Sequence, residues 1–331
     1  MQTSSVNSLR VPILNTSPLP SRVAILLPCH NESATIGAVV AAFQNAVPDA
    51  EIVVFDNCST DATAEAARTA GAAVRQVEKL GKGNVVQAMF ADIEADLYVM
   101  VDGDNTYDAS VLPSALKMMH DQSLDFVNIA RVWSSAAHRK GHQLGNRMFQ
   151  AFVRHLFNHH VGDMLSGYKV FSRRFVKSFP GQPAGFEVEA ALTIHALELN
   201  VPMGEIEAPY SERTAGGVSK LRTFRDGARI LRAIVGLYRH EHPTRVFGGL
   251  AFVCAAVSIA LGYPIVVTFL RTGLVPRFPT AILCAALMVI AALLASVGLV
   301  LDTVTHGHKE HRRLMYLSYP GPIHPGSSHG A

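Results

Sequence analysis

At 331 residues, 49% of them hydrophobic and 17% charged, the chain has room for one good-sized globular domain and something apolar besides. The formal net charge of +3 does not single out an acidic partner, and nucleic acid is not expected among its ligands. Four cysteines without the spacing of a zinc site or a disulfide framework fit a reduced compartment.

Residues 1–20, MQTSSVNSLRVPILNTSPLP, are polar and proline-bearing and lack the apolar core of a secretory signal, so a flexible lead is expected there and nothing that exports the following domain. From residue 21 short apolar runs alternate with helical patterns. RVAILLP, EIVVFD and LYVMVD read as strands; ESATIGAVVAAFQNA, TDATAEAARTAG and GNVVQAMFADIEA read as helices. That βαβα order predicts a mostly parallel sheet with helices on both faces, a domain extending to about residue 219. In such sheets ligands gather beyond the C-terminal strand ends.

Three of these ends are polar: Pro28-Cys29-His30-Asn31-Glu32, Asp56-Asn57-Cys58-Ser59-Thr60-Asp61 and Asp102-Gly103-Asp104. Asn31, Ser59, Thr60 or Asp61 can serve as helix caps. Asp56 precedes the cap position, where a carboxylate can accept from a nucleobase edge or ribose hydroxyls. Gly81-Lys82-Gly83, ahead of a helix, can offer backbone N–H groups or a cation to phosphate, although it is not a Walker motif. Asp102 and Asp104 place two hard oxygen ligands on one tight turn, the donor set that suits Mg²⁺ or Mn²⁺ with coordination positions left for phosphate oxygens, and Gly103 frees the backbone to turn. Asp163 can place an acceptor, act as a base toward a hydroxyl, or cap a turn. Glu189 can orient sugar hydroxyls or serve the internal structure, and Lys169, Arg173 and Arg174 can meet phosphate or coat a surface strand, the latter favoured for the arginines.

The stretch 220–245 carries Lys220, Arg222, Arg225, Arg229, Arg232, Arg239 and Arg245 against Asp226 and Glu241, with Phe224, Ala228, Leu231, Val235 and Tyr238 at helical spacing. An interfacial helix on anionic headgroups is expected. Residues 246–270 and 280–301 lack charged side chains, and at about 1.5 Å per residue each exceeds the roughly 30 Å hydrocarbon thickness, so 246–304 is read as a two-helix transmembrane hairpin. Flanking basic residues place both ends in the cytoplasm, hence a multi-pass protein of the cytoplasmic (inner) membrane with its main domain in the cytoplasm. Gly248 and Gly249 permit helix packing between chains and thus a homo-oligomer. The histidine-rich, turn-rich stretch 305–331 is expected to be a disordered tail.

In order along the chain, LPCHNES, VVFDNCSTD, GKGN, VMVDGDNTYD, DMLSGYKVFSRR, GFEVEAAL and SERTAGGVSKL resemble a family 2 glycosyltransferase of the dolichyl- or polyprenyl-phosphate sugar synthase type, covering about residues 20–225. The C-terminal hairpin is similar to the bacterial branch. The resemblance implies a GT-A, Rossmann-like α/β fold, with Pro28, His30 and Glu32 lining a nucleotide pocket and Asp56 on the base or ribose. Asp102, Gly103 and Asp104 would form the metal and diphosphate site. Arg131 would contact phosphate or sugar, and Arg213 and Lys220 would hold phosphates. Asn57-Cys58 departs from the commoner Asp-Gly, Thr106 stands where some polyprenyl enzymes have glutamine, and the spacing from Arg213 to Lys220 is longer than in dolichyl-phosphate mannose synthases.

The chemistry follows from charge. Expelling a nucleoside diphosphate from an anomeric carbon needs stabilisation of the leaving oxygens, which a divalent ion with Arg or Lys supplies. A lipid-phosphate acceptor is already ionised and needs orientation more than deprotonation. The expected activity is therefore an inverting hexose transfer from a UDP- or GDP-sugar to polyprenyl phosphate, the stereochemistry being implied by the resemblance. Asp104, Asp163 and Arg131 are the candidate catalytic residues. A neutral lipid acceptor is one alternative. A scaffold or accessory subunit that binds nucleotide-sugar without turnover is another, and the retention of both Asp102 and Asp104 speaks against it.

Overall fold

The structure, a computed structural model, describes residues 22–133, 162–181, 188–211 and 242–321. Arg213, Lys220, the lead over residues 1–20, most of the basic stretch 220–245 and residues 322–331 lie outside them.

The first half follows the periodicity: β1 (Val23–Cys29), α1 (Ile36–Ala46), β2 (Glu51–Asp56), α2 (Thr63–Thr69), β3 (Ala73–Gln76), α3 (Lys82–Asp92) and β4 (Leu97–Met100). Next come α4 (Leu112–Asp121), β5 (Phe126–Trp133), β6 (Lys169–Ser172), α5 (Arg173–Ser178), α6 (Val188–Leu199) and β7 (Met203–Tyr210). The strands form one seven-stranded sheet in the order β3-β2-β1-β4-β6-β5-β7. Every pairing is parallel except those of β6, which runs antiparallel between β4 and β5.

Side-chain alternation on the strands sorts two apolar layers. Ile25, Leu27, Ile52 and Val54 pack with Ile36, Val40 and Phe43 of α1 and Leu112 and Met119 of α4. Ala24, Leu26, Val53 and Phe55 pack on the other face with Val86 and Met89 of α3, Phe175 of α5 and Leu192 of α6. Each fully buried large apolar side chain contributes about 1.5–3 kcal/mol, so the two layers fix which face each strand presents and therefore which residues reach the strand ends.

Two long helices complete the chain, α7 (Pro243–Thr272) and α8 (Phe278–Leu317). Both are long and apolar enough to cross a membrane, and only 11% of the most apolar stretch of either is buried. Gly273, in the left-handed region at φ 70°, ends α7 by donating its N–H to the Phe269 carbonyl. The helices lie against each other: Ser258 Oγ donates to the Cys284 carbonyl at 2.8 Å, and a side chain at Gly298 would press on Phe247. A side chain at Gly248 or Gly249 would meet nothing within 4 Å.

The C-terminal expectation needs correction. The tail expected from residue 305 is helical as far as Leu317, because α8 continues past its apolar stretch and docks on the α/β domain, with Tyr316 buried against the α3, α5 and α6 layer.

Candidate active site

The C-terminal ends of β1, β2, β3 and β4 share one edge, and the loops there are tied to one another by hydrogen bonds. His30 Nδ1 donates to the Asn57 carbonyl at 2.7 Å. Asn31 N–H donates to Ser59 Oγ and its side-chain oxygen accepts from Thr60 N–H, while Asp61 accepts from the N–H groups of Ser33 and Thr63. The caps expected at Asn31 and Ser59 are thus clamps between two loops. Burial would raise Asp61, but the hydroxyl and N–H groups of Thr63 and Ser33 hold it down at about 2.

Asn57 explains the departure from Asp-Gly. Its amide N–H₂ donates to the carbonyls of Val77 and Lys79, both at 2.9 Å, and its oxygen accepts from Gly81 N–H at 2.7 Å. A carboxylate can accept from Gly81 but cannot donate to the other two, so asparagine secures the whole loop between β3 and α3. Cys58 sits at φ 56°, a conformation that the glycine it replaces adopts without strain. Pro28 is buried near the end of β1, and Asp56, the last residue of β2 and in register with Cys29, is buried with its Oδ1 unpartnered.

Around Gly103 three carboxyl groups converge. Glu32 Oε2 is buried without a hydrogen-bond partner, and burial followed by repulsion from Asp102 and Asp104 pushes the Glu32 carboxyl up to about 8. Asp104 is buried, and its Oδ1 accepts from Thr106 Oγ1 at 2.5 Å and from Thr106 N–H at 3.3 Å. Thr106, which departs from the glutamine of some polyprenyl enzymes, sets the orientation of the second carboxylate. Asp102 Oδ1 accepts from Lys82 Nζ at 2.5 Å, and Lys82 also donates to Glu189 Oε1 at 2.5 Å. Burial would lower Lys82, but the two carboxylates outweigh it and keep the ammonium charged. Lys82 of the GKG stretch therefore stands beside Asp102, and Glu189 holds it there.

The turn leaves no spare room. A Cβ at Gly103 would run into Glu32 Oε2 and Cys29 Sγ, and one at Gly167 would run into Asp102 Oδ2. Gly167→Ala is expected to push the Asp102 carboxylate aside and weaken Mn²⁺-dependent binding of a nucleoside diphosphate about tenfold or more, with little change in Tm; titration calorimetry on the two proteins checks this.

Arg131 and Asp163 meet as a bidentate pair, Nε to Oδ2 at 2.6 Å and Nη2 to Oδ1 at 3.0 Å, with the guanidinium 5.3 Å from the centre of the Tyr210 ring. Burial would raise Asp163, yet Arg131 holds it below the usual carboxylate range. With both oxygens engaged, Asp163 is a weak base and orients Arg131 instead. Glu205 accepts from Gly162 N–H and from Asn128 Nδ2, fastening the segment that carries Asp163.

Lys169 does not coat a surface. It is fully buried because β6 lies inside the sheet, opposite Met100 on one side and Asn128 on the other. Its Nζ donates to Asn128 Oδ1 at 2.7 Å and Thr193 Oγ1 at 3.2 Å, and burial lowers it to about 8. Since the unfolded lysine keeps its proton to about pH 10.4, the wild type should gain stability relative to Lys169→Met as pH rises from about 8 to 10. The expected slope is roughly 1.4 kcal/mol per pH unit, read from paired denaturation curves. Arg173 and Arg174 lie at the opposite edge of the sheet, paired with Glu94 and Asp125.

An α/β sheet whose polar strand ends converge on an Asp-Gly-Asp turn defines the GT-A type of nucleotide-sugar transferase fold, and comparison with known proteins agrees. Residues 24–179 match the model of Glycosyl transferase family 2. A dolichyl-phosphate hexose transferase of Haloferax volcanii is 30% identical over 222 residues, 66% of this chain and 95% of that one. An uncharacterised protein of Shigella flexneri is 50% identical over 155 residues, 47% of this chain and 95% of that one. A crystal structure of Mycobacterium tuberculosis glucosyl-3-phosphoglycerate synthase with Mn²⁺, UDP-glucose and phosphoglyceric acid shares the fold at TM-score 0.54 and 21% identity, covering 67% of this chain and 79% of that one. The chain belongs to glycosyl transferase family 2, and the protein is a glycosyltransferase carrying two C-terminal apolar helices of membrane-spanning length.

Proposed function

We propose that the protein transfers a hexose, with inversion, from a UDP- or GDP-sugar to a polyprenyl phosphate at the cytoplasmic face of the inner membrane. The observation that carries the reading is the meeting of Asp102, Asp104 and Lys82 at the ligand edge of a chain that also bears two membrane-length helices. The name of the Haloferax relative supports a lipid-phosphate acceptor.

The residues present fit Mg²⁺ or Mn²⁺. Three carboxyl groups crowd Gly103 with a buried, unpartnered oxygen among them, a repulsion that a hard cation offsets. Asp102 and Asp104 would hold the ion. Among the described residues no group of three or more His, Cys, Asp and Glu forms a ligand set, so diphosphate oxygens and water would complete the shell. When bound, the cation would neutralise charge that develops on the leaving diphosphate.

The chain's own groups supply the remaining steps. The free Asp56 oxygen accepts from the nucleobase or ribose, with Pro28 and His30 shaping that pocket. Lys82, steadied by Glu189, donates to the diphosphate as the glycosidic bond breaks. Arg131, fixed in direction by Asp163, faces the sugar or the incoming phosphate; Arg213 and Lys220 are assigned to phosphate by resemblance. The acceptor phosphate oxygen attacks the anomeric carbon already ionised, so no strong base is required. The weak basicity of the paired Asp163 supports a phosphate over a neutral lipid hydroxyl.

An acceptor panel tests this. Vesicles holding the full chain, Mn²⁺ and labelled UDP-glucose, UDP-N-acetylglucosamine or GDP-mannose should yield lipid-extractable label with polyprenyl phosphate and none with diacylglycerol or ceramide. Label on a neutral lipid alone would overturn the acceptor assignment.

A further inference from the structure

Helix α8 does not stop where its apolar stretch stops. Its first charged residue is Asp302, and the helix runs on to Leu317. At about 1.5 Å per residue, residues 302–316 carry Tyr316 roughly 20 Å beyond that point.

There it is clamped. Tyr316 OH donates to Asp125 Oδ2 at 2.6 Å, and the Arg174 guanidinium lies over the tyrosine ring at 4.5 Å. Asp125 is wholly buried and also accepts from Ser172 Oγ at 2.6 Å and Arg174 Nε at 2.5 Å. One turn earlier, Arg312 is ion-paired with Glu198 of α6. These partners mark the sheet edge opposite the ligand edge: Asp125 precedes β5, and Ser172 stands across from Leu97, where β4 begins. The sheet is about as deep as this helical extension is long, since a seven-residue strand spans roughly 20 Å.

A separate feature marks the ligand edge. Outside α7, α8 and the turn between them, the exposed large hydrophobics among the described residues are Leu80, 61% exposed, and Val132, 47% exposed. Leu80 lies in the loop leaving the C-terminal end of β3. Val132 lies at the C-terminal end of β5, which runs in the same direction as β1 and β4. Both apolar tips are therefore on the edge that carries Asp102 and Asp104, and exposed apolar tips in a chain with two membrane-length helices suit a lipid surface.

We propose that α8 is a strut: Tyr316 and Arg312 hold the far edge of the catalytic domain away from the bilayer, so that the ligand edge, with Leu80 and Val132, is turned onto the lipid surface. The two residues are positioning residues for a membrane-held acceptor. The orientation rests on geometry, and its effect on the reaction rests on the lipid-phosphate reading above.

The test uses the full chain in vesicles containing brominated phosphatidylcholine. The chain's single tryptophan, Trp133, is changed to Phe, and one new tryptophan is placed by Leu80→Trp at the ligand edge or by Gln122→Trp, just before β5 at the far edge. Bromolipid should quench the tryptophan at position 80 and spare that at position 122. Adding Tyr316→Phe with Arg312→Gln should shrink that contrast and raise KM for polyprenyl phosphate about tenfold or more, with the nucleotide Kd unchanged. A merely structural defect would also move the nucleotide Kd. Equal quenching at the two positions, or a contrast and KM untouched by the double substitution, would overturn the strut. Persistent contrast in a protein that transfers no sugar to any lipid phosphate would uphold the orientation and overturn the acceptor reading instead.

Discussion

Asp104→Ala is expected to lower sugar transfer by about two to three orders of magnitude, roughly 3–4 kcal/mol of transition-state stabilisation, with the domain still folded. Asp104 is buried at the strand-end turn and its Oδ1 accepts from Thr106, so truncation to alanine removes the candidate oxygen ligand itself. The companion change Asp102→Asn keeps the shape of the first carboxylate and leaves Lys82 paired with Glu189. Both variants should lose the Mn²⁺-dependent part of nucleoside-diphosphate affinity. Initial rates of lipid-extractable product, with circular dichroism as the folding control, check the first claim; calorimetry with and without Mn²⁺ checks the second.

Arg131→Met is expected to cost about 3–5 kcal/mol of stability as well as activity. The guanidinium is the partner of both Asp163 oxygens, and the Asp163 side chain is only 8% exposed, so its removal strands a buried carboxylate. The double variant Arg131→Met with Asp163→Leu should recover much of that stability while remaining inactive, separating the structural pair from the work of Arg131 at the site. The pH dependence has a definite sign. Because native Asp163 lies below its ordinary value, the stability it confers is present at neutral pH and is lost as pH falls from the unfolded carboxylate value of about 4 toward the native one. Chemical denaturation of the three proteins at pH 7, at about pH 4 and at about pH 2.5 measures both effects.

Much of this was legible in the amino-acid order. Strands β1, β2 and β4 announce themselves as β-favouring apolar runs, and each stops at a polar residue, so Asp56, Asp102 and Asp104 could be assigned to one sheet edge without coordinates. The two long apolar helices were legible for the same reason, since an uncharged run of that length has few other fates. Pairings between distant residues carry no such local signal. Lys82 and Glu189 meet across 107 positions, and the apolar pattern of α6 gives no hint that its first turn supports the cation. Asn57 and Thr106 looked like departures from a motif; only their partners reveal one as a loop clamp and the other as the support of Asp104. Burial of Lys169 depends on β6 being inserted antiparallel inside the sheet, which a four-residue strand does not declare. Residues 305–317 read as a tail because their polar, histidine-rich pattern shows no apolar stripe, whereas Tyr316 and Arg312 dock through Asp125 and Glu198.

The most direct test of the central claim follows both products of one reaction. The full chain in vesicles with polyprenyl phosphate, Mn²⁺ and a doubly labelled nucleotide-sugar should release nucleoside diphosphate in one-to-one proportion to lipid-linked hexose, with both products lost in Asp104→Ala. Release of nucleoside monophosphate with sugar phosphate on the lipid, or lipid-linked hexose undiminished in Asp104→Ala, would contradict it.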